Sequence, residues 1–127
     1  MRNTKDIKTD GLNTKSNREE SLIQASSVEW FRNNYCLKHH SPRYDIFSVP
    51  NEATYRNNNF KALGVRKGAS DIVVVLNNKV LFIEIKDPLG GQSDYQIDFQ
   101  KVVESNNHNY YVVRSLLEFQ GIIKLNL

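Results

Sequence analysis

The chain has almost no cysteine. Cys36 stands alone among 127 residues, so an internal disulfide is excluded and a reducing, cytoplasmic setting is expected. A single thiol between Tyr35 and Leu37 is expected to pack rather than to react. No apolar run approaches the ~20 residues of a membrane span, and the chain does not open on a signal-peptide pattern, so no membrane is expected as a partner. The histidines, His39, His40 and His108, lack the spacing of a zinc site, and surface or loop roles are expected for them. Internal repeats are also absent.

What is present is the composition of one soluble globular domain: 39% apolar, 24% charged and 10% aromatic. The net charge is +3 with a pI near 9, which mildly favours an anionic partner. Its distribution is more informative. Residues 1–18 hold five Lys/Arg against two Asp, leaving twelve against twelve in the body. Within the body, Arg56, Lys61, Arg66 and Lys67 gather just before Asp71, a local basic approach of the kind a phosphate backbone needs, although a solvated loop would look the same.

The stretch "SDIVVVLNNKVLFIEIKD", residues 70–87, carries the chemistry. Val, Ile, Leu and Phe favour strands, and Asn77-Asn78 tolerates the positive φ of a tight hairpin. A two-residue loop there sets Leu76 opposite Lys79, Val75 opposite Val80, Val73 opposite Phe82 and Asp71 opposite Glu84. Opposed Cβ atoms lie ~5 Å apart. Lys86 projects from the same face as Glu84. Ile72, Val74, Leu81, Ile83 and Ile85 make the other face equally apolar, so the hairpin is expected to be covered on both sides. Two carboxylates at the end of such strands repel each other and lose hydration. A divalent cation resolves both problems, and Mg²⁺ takes one or two carboxylates together with substrate phosphate. The bland alternative makes Glu84–Lys86 a solvated rim pair; the registered Asp71 favours the metal site.

Residues 1–16 read as a flexible basic arm and 17–127 as one domain. A helix is expected from about Asn17, with Leu22, Ile23, Trp30 and Phe31 as its core stripe. A short extended piece follows at Ile46 to Val49, then the hairpin. "DPLGG" breaks the chain, and Ser93 caps a second helix with Tyr95, Phe99, Val102 and Val103 inward. "YYVVR" is a further strand, and "SLLEFQGIIKLNL" closes with a short helix or turn and an extended tail. This order indicates an α/β domain with a mixed central sheet.

An acid at a strand start followed by Glu-x-Lys on the next strand resembles the PD-(D/E)xK nuclease superfamily. The ordered stretches "ESLIQ", "VPNE", "GVRKGASD", "FIEIK", "QSDYQ" and "YYVVRS", spanning residues 20 to about 118, resemble a stand-alone VRR-NUC domain. Ser70 departs from the proline usual before the aspartate. The resemblance implies a restriction-endonuclease-like core with helices flanking the sheet. It implies Asp71 and Glu84 as metal ligands, with the Ile85 carbonyl and Glu20 as further ones, Lys86 as catalytic lysine, and Gln96 reaching the site from the second helix, with Gln24 one turn beyond Glu20. Arg114 is expected to be structural or substrate-facing. Asn17–Glu20 and Ser93–Gln96 each also read as a capping box, Glu19 could replace Glu20, and Asn51-Glu52 could form only a turn.

The implied function is a Mg²⁺-dependent endodeoxyribonuclease, with Mn²⁺ substituting, acting as a homodimer on branched or duplex DNA, foremost four-way (Holliday) junctions. A flap or restriction-type endonuclease, or a non-catalytic DNA-binding module retaining the fold, are the alternatives.

Overall fold

The structure is a computed structural model that describes residues 4–50 and 63–127, with side chains of the first helix described from Lys15 onward. Arg56, Lys61, Asn51 and Glu52 lie outside the described residues. In chain order come helix α1 (Thr4–Tyr35), strands β1 (Asp45–Ser48), β2 (Ile72–Leu76) and β3 (Lys79–Ile85), helix α2 (Asp94–Ser105), strand β4 (Asn109–Val113) and helix α3 (Leu116–Asn126). The strands form one sheet in the order β1-β2-β3-β4. The first three are antiparallel, and β4 joins β3 in parallel after the α2 crossover. The fold is therefore α/β with a mixed sheet, as expected.

The hairpin register agrees with the residue arithmetic: Leu76 pairs with Lys79, Val75 with Val80 and Val73 with Phe82. Asn78 takes the left-handed conformation that closes the turn, at φ 58°. One face of the sheet carries Ile46, Ile72, Val74, Leu81, Ile83, Ile85 and Val113, all buried against Phe31 of α1 and Phe119 and Ile123 of α3. The rings of Phe31 and Phe119 meet edge to face at 6.3 Å, which locks the two helices together over this face. The opposite face is covered in part by α2, through Phe99 against Phe82 and Tyr110.

Several expectations are corrected. The hairpin is not covered on both sides along its length: α2 reaches only part of the second face, so Val75 and Val80 remain 38% and 39% exposed. α1 begins at Thr4, not near Asn17, so Asn17 is a helix interior residue and no capping box starts there. Leu22 is exposed, because the inward stripe of α1 runs through Ile23, Ser27 and Phe31. Tyr95 and Val102 are largely exposed, leaving Phe99 and Val103 as the inward side of α2. The chain ends in a helix rather than an extended tail: Phe119, Ile122 and Ile123 share a helical face that completes the core.

Candidate active site

The end of the hairpin away from its turn is built by three elements. Val49 N–H donates to the Asp71 carbonyl at 2.8 Å, holding Asp71 in line with β2 although the strand ladder stops at Ile72. The Asp71 carboxylate then accepts the Ile85 N–H at 2.7 Å, bridging the strands. In an antiparallel pair the N–H and C=O of one residue face the same neighbour, so the Ile85 carbonyl also faces the Asp71 side. Ser70 is buried, and its hydroxyl donates to the Ile72 carbonyl at 3.4 Å. A residue with a side-chain donor thus stands where the resembling family has proline.

Glu84 is the centre of the arrangement. Its side chain is only 2% exposed, and that of Lys86 12%, with Nζ 3.9 Å from Glu84 Oε1. A solvated rim pair does not have such burial, so that reading of Glu84–Lys86 fails. Oε1 also accepts from Gln96 Nε2 at 2.7 Å. Glu84 Oε2 is buried without a hydrogen-bond partner, a costly state for a carboxylate oxygen. Burial first, and then the neighbouring Asp71 charge, pushes the Glu84 carboxyl up to about 9. Burial also raises Asp71, opposed by the Ile85 N–H, the neighbouring Glu84 carboxyl and the Lys86 charge. Without a cation, burial and mutual repulsion therefore favour a proton held by the pair.

Gln96 does two jobs with the two ends of one amide. Its Oε1 accepts the Ser93 N–H at 2.8 Å while Ser93 Oγ accepts the Gln96 N–H, a complete capping box for α2. A backbone N–H needs an acceptor, so the amide oxygen is committed and the nitrogen must point at Glu84. The capping reading of Gln96 holds, and the cap aims the side chain so that its amide nitrogen meets Glu84. Burial raises the Tyr110 phenol, and the nearby Glu84 charge adds to it.

Glu20 approaches from α1. Its Oε1 accepts the Asp87 N–H at 3.4 Å, and burial lifts its carboxyl above the ordinary range. Lys86, Asp71 and Asp87 are all close enough to influence it. Among the described residues no three His, Cys, Asp or Glu side chains form a ready metal cage, so Glu20 borders the carboxylate pair rather than completing a triad with it.

Of the expected DNA contacts, Arg66 is drawn back onto α2. It pairs with Asp98 at 2.8 Å and lies over the Phe99 ring at 5.5 Å. Lys67 sits over the Tyr95 ring at 4.3 Å. Gly68, at φ +88°, packs so closely that a Cβ would meet the Tyr95 carbonyl oxygen at 2.3 Å. Gly68→Ala should therefore destabilise the fold by about 2 kcal/mol or more, read as a lowered urea midpoint, because both the left-handed φ and the contact forbid a side chain.

Sequence reasoning read "DPLGG" after Lys86 only as a break in the chain and did not assign its turn. Asp87-Pro88-Leu89-Gly90 has Asp, Pro and Gly where a type I turn wants them, and that signal was available. Arg114 proves structural, its Nη1 donating to the carbonyls of Asp87 at 2.8 Å and Gly90 at 2.5 Å.

The fold and site together define an α/β domain whose mixed sheet presents a buried carboxylate pair, a lysine and a helix-borne glutamine at one end of a hairpin. No family model matches the chain, and no curated protein matches it. Solved structures do. One titled "VRR_NUC domain protein" aligns with a TM-score of 0.67 at 20% identity, covering 84% of this chain and 86% of that one. Another, titled "VRR_NUC domain", aligns at 0.58 and 18% identity, covering 84% and 95%. The chain has the VRR-NUC fold. No helix among the described residues is long and apolar enough to cross a membrane.

Proposed function

We propose that this protein is a metal-dependent, structure-selective DNA endonuclease that hydrolyses phosphodiester bonds, with four-way junctions as its foremost substrate. The observation that carries this reading is the unpartnered, buried Glu84 Oε2 beside Asp71. An oxygen-ligated divalent cation supplies what that atom lacks, replaces the proton held by the pair and relieves the repulsion. Asp71, Glu84 and the Ile85 carbonyl would hold Mg²⁺, or Mn²⁺ in its place, leaving positions for water and phosphate. Glu20 would act at its border, through water or by orienting the Asp87 backbone. When bound, the cation supplies charge neutralisation and an activated water.

The chain's own residues do the rest. Lys86 sets a positive charge where the phosphate gains negative charge and the attacking water loses a proton. Gln96 holds the Glu84 carboxylate so that one oxygen stays turned toward the cation site. In-line attack would leave a 5′-phosphate and a 3′-hydroxyl. A homodimer would offer two sites to the two symmetric strands of a junction. The decisive experiment is a cleavage panel of four-way junction, flap, duplex and single strand in Mg²⁺, Mn²⁺ and EDTA. Metal-dependent cutting with junction preference is expected; absence of cutting on every DNA in either metal would overturn the reading.

Arg66 and Lys67 flank this site as phosphate contacts. The Arg66–Asp98 pair is exposed and worth under ~1 kcal/mol, so a phosphate can displace the carboxylate. Replacing Arg66 and Lys67 together with Ala should lower the slope of log affinity against log salt by about two, similarly for unrelated sequences. An unchanged slope in a salt titration would remove both from the DNA surface.

A further inference from the structure

Leu89 is 96% exposed, the most exposed large apolar side chain among the described residues. A lone surface leucine needs no explanation, and what distinguishes this one is its mounting. It stands at the tip of the turn immediately after Lys86, and that turn is tied down on every side except the tip. Gly90 N–H donates to the Asp87 carbonyl at 3.1 Å, and Leu89 N–H donates to Asp87 Oδ1 at 2.9 Å. Ser16 Oγ of α1 donates to Asp87 Oδ2, and Arg114 at the end of β4 holds the carbonyls on both sides of the turn. Gly90 lets the Asp87 carboxylate fold back against it: a Cβ there would lie 2.8 Å from Oδ2. Pro88 removes further backbone freedom.

We propose that Leu89 is an apolar wedge that enters the base stack of bound DNA at the branch point next to the scissile phosphate. The inference rests on the nuclease reading of the adjoining site and deepens it by naming the residue that selects structure. Intercalating apolar side chains unstack a base step and gain from it when the step is already weak, as at a branch. A wedge must also be stiff, because a mobile side chain would lose on ordering what it gains on insertion. A turn braced from α1 and β4 supplies that stiffness, and its root at Asp87, whose N–H donates to Glu20 at the border of the site, keeps the leucine next to DNA held there.

The test uses the full chain and a four-way junction carrying 2-aminopurine at the branch-flanking step, with Leu89→Asn and Leu89→Met. Binding of wild type and Leu89→Met should raise the fluorescence, and Leu89→Asn should bind without the rise. Single-turnover cleavage by Leu89→Asn should fall about tenfold on the fully paired junction, yet stay within about twofold of wild type when that step is a mismatch. An unchanged fluorescence rise in Leu89→Asn, or equal loss on paired and mismatched junctions, would overturn the wedge while leaving the nuclease standing. Loss of self-association in Leu89→Asn with the fluorescence rise intact would reassign Leu89 to a protein contact. A wild-type protein that cuts no DNA at all would instead remove the nuclease reading, and the wedge with it.

Discussion

Lys86→Ala should lower the single-turnover cleavage rate by about 10²-fold or more, the scale for losing one electrostatic or acid–base contributor to the transition state. Junction binding should change far less, because one phosphate contact among many is a small share of affinity. The competing expectation is that Lys86 merely pairs with Glu84. An exposed pair is worth under ~1 kcal/mol, or a factor of about five, but side chains 12% and 2% exposed are not in that regime. Nor should the variant unfold. Removing the cation from a buried pair is costly when it strands a charge, whereas Glu84 already takes up a proton readily in the absence of metal. Saturating enzyme removes binding from the measurement, and circular dichroism checks the fold. A rate within a few-fold of wild type under those conditions would end the catalytic role of Lys86.

Asp71→Asn and Glu84→Gln should each abolish cleavage while the fold persists, and their stability should report why. The Glu84 carboxyl is raised from its ordinary 4.5 to about 9. The folded state therefore holds a proton that the unfolded state has released between those two values. Stability is fully present below the lower value and is lost as pH rises through the window. Wild-type protein in EDTA should accordingly melt lower at pH 8 than at pH 5, by about 5 °C or more. Mg²⁺ should restore much of the loss at pH 8, since a ligand bound only by the folded state stabilises it. Glu84→Gln carries no titrating group at that position, so its melting temperature should be flatter across the same range and indifferent to Mg²⁺. Thermal melts with and without the metal check all of this. Undiminished turnover by either variant, or a wild-type melting curve that ignores both pH and Mg²⁺, would rule out the carboxylate pair as the metal site.

The readings that were legible in the sequence are those that depend on neighbours along the chain or across one tight turn. Asn77-Asn78 sets the loop length, the loop length sets the register, and the register brings Asp71 opposite Glu84; each step follows from the alternation of a strand and needs no other element. The Ser93–Gln96 cap is local in the same way. The βαβ order of β3, α2 and β4 was likewise readable, because a strand, a helix and a strand at that spacing have one favoured way to pack.

What only the tertiary structure decided is how each local unit meets the others. Leu22 and Ile23 are adjacent and both apolar, and which of them is buried depends on the rotation of α1 against a sheet that lies far along the chain. Val75 and Val80 alternate like core residues, yet their cover depends on how far α2 reaches. Glu19 and Glu20 are indistinguishable in the sequence, and Glu20 is singled out because the helix face it shares meets the backbone at Asp87. The Glu84 carboxyl is driven to about 9 by burial that α2 completes and by a second carboxylate from another strand. Desolvation and charge coupling are sums over everything nearby in space, so no window of sequence contains them. The local pattern determined which groups this protein can bring together, and long-range packing decided how dry, how close and how strongly coupled they became.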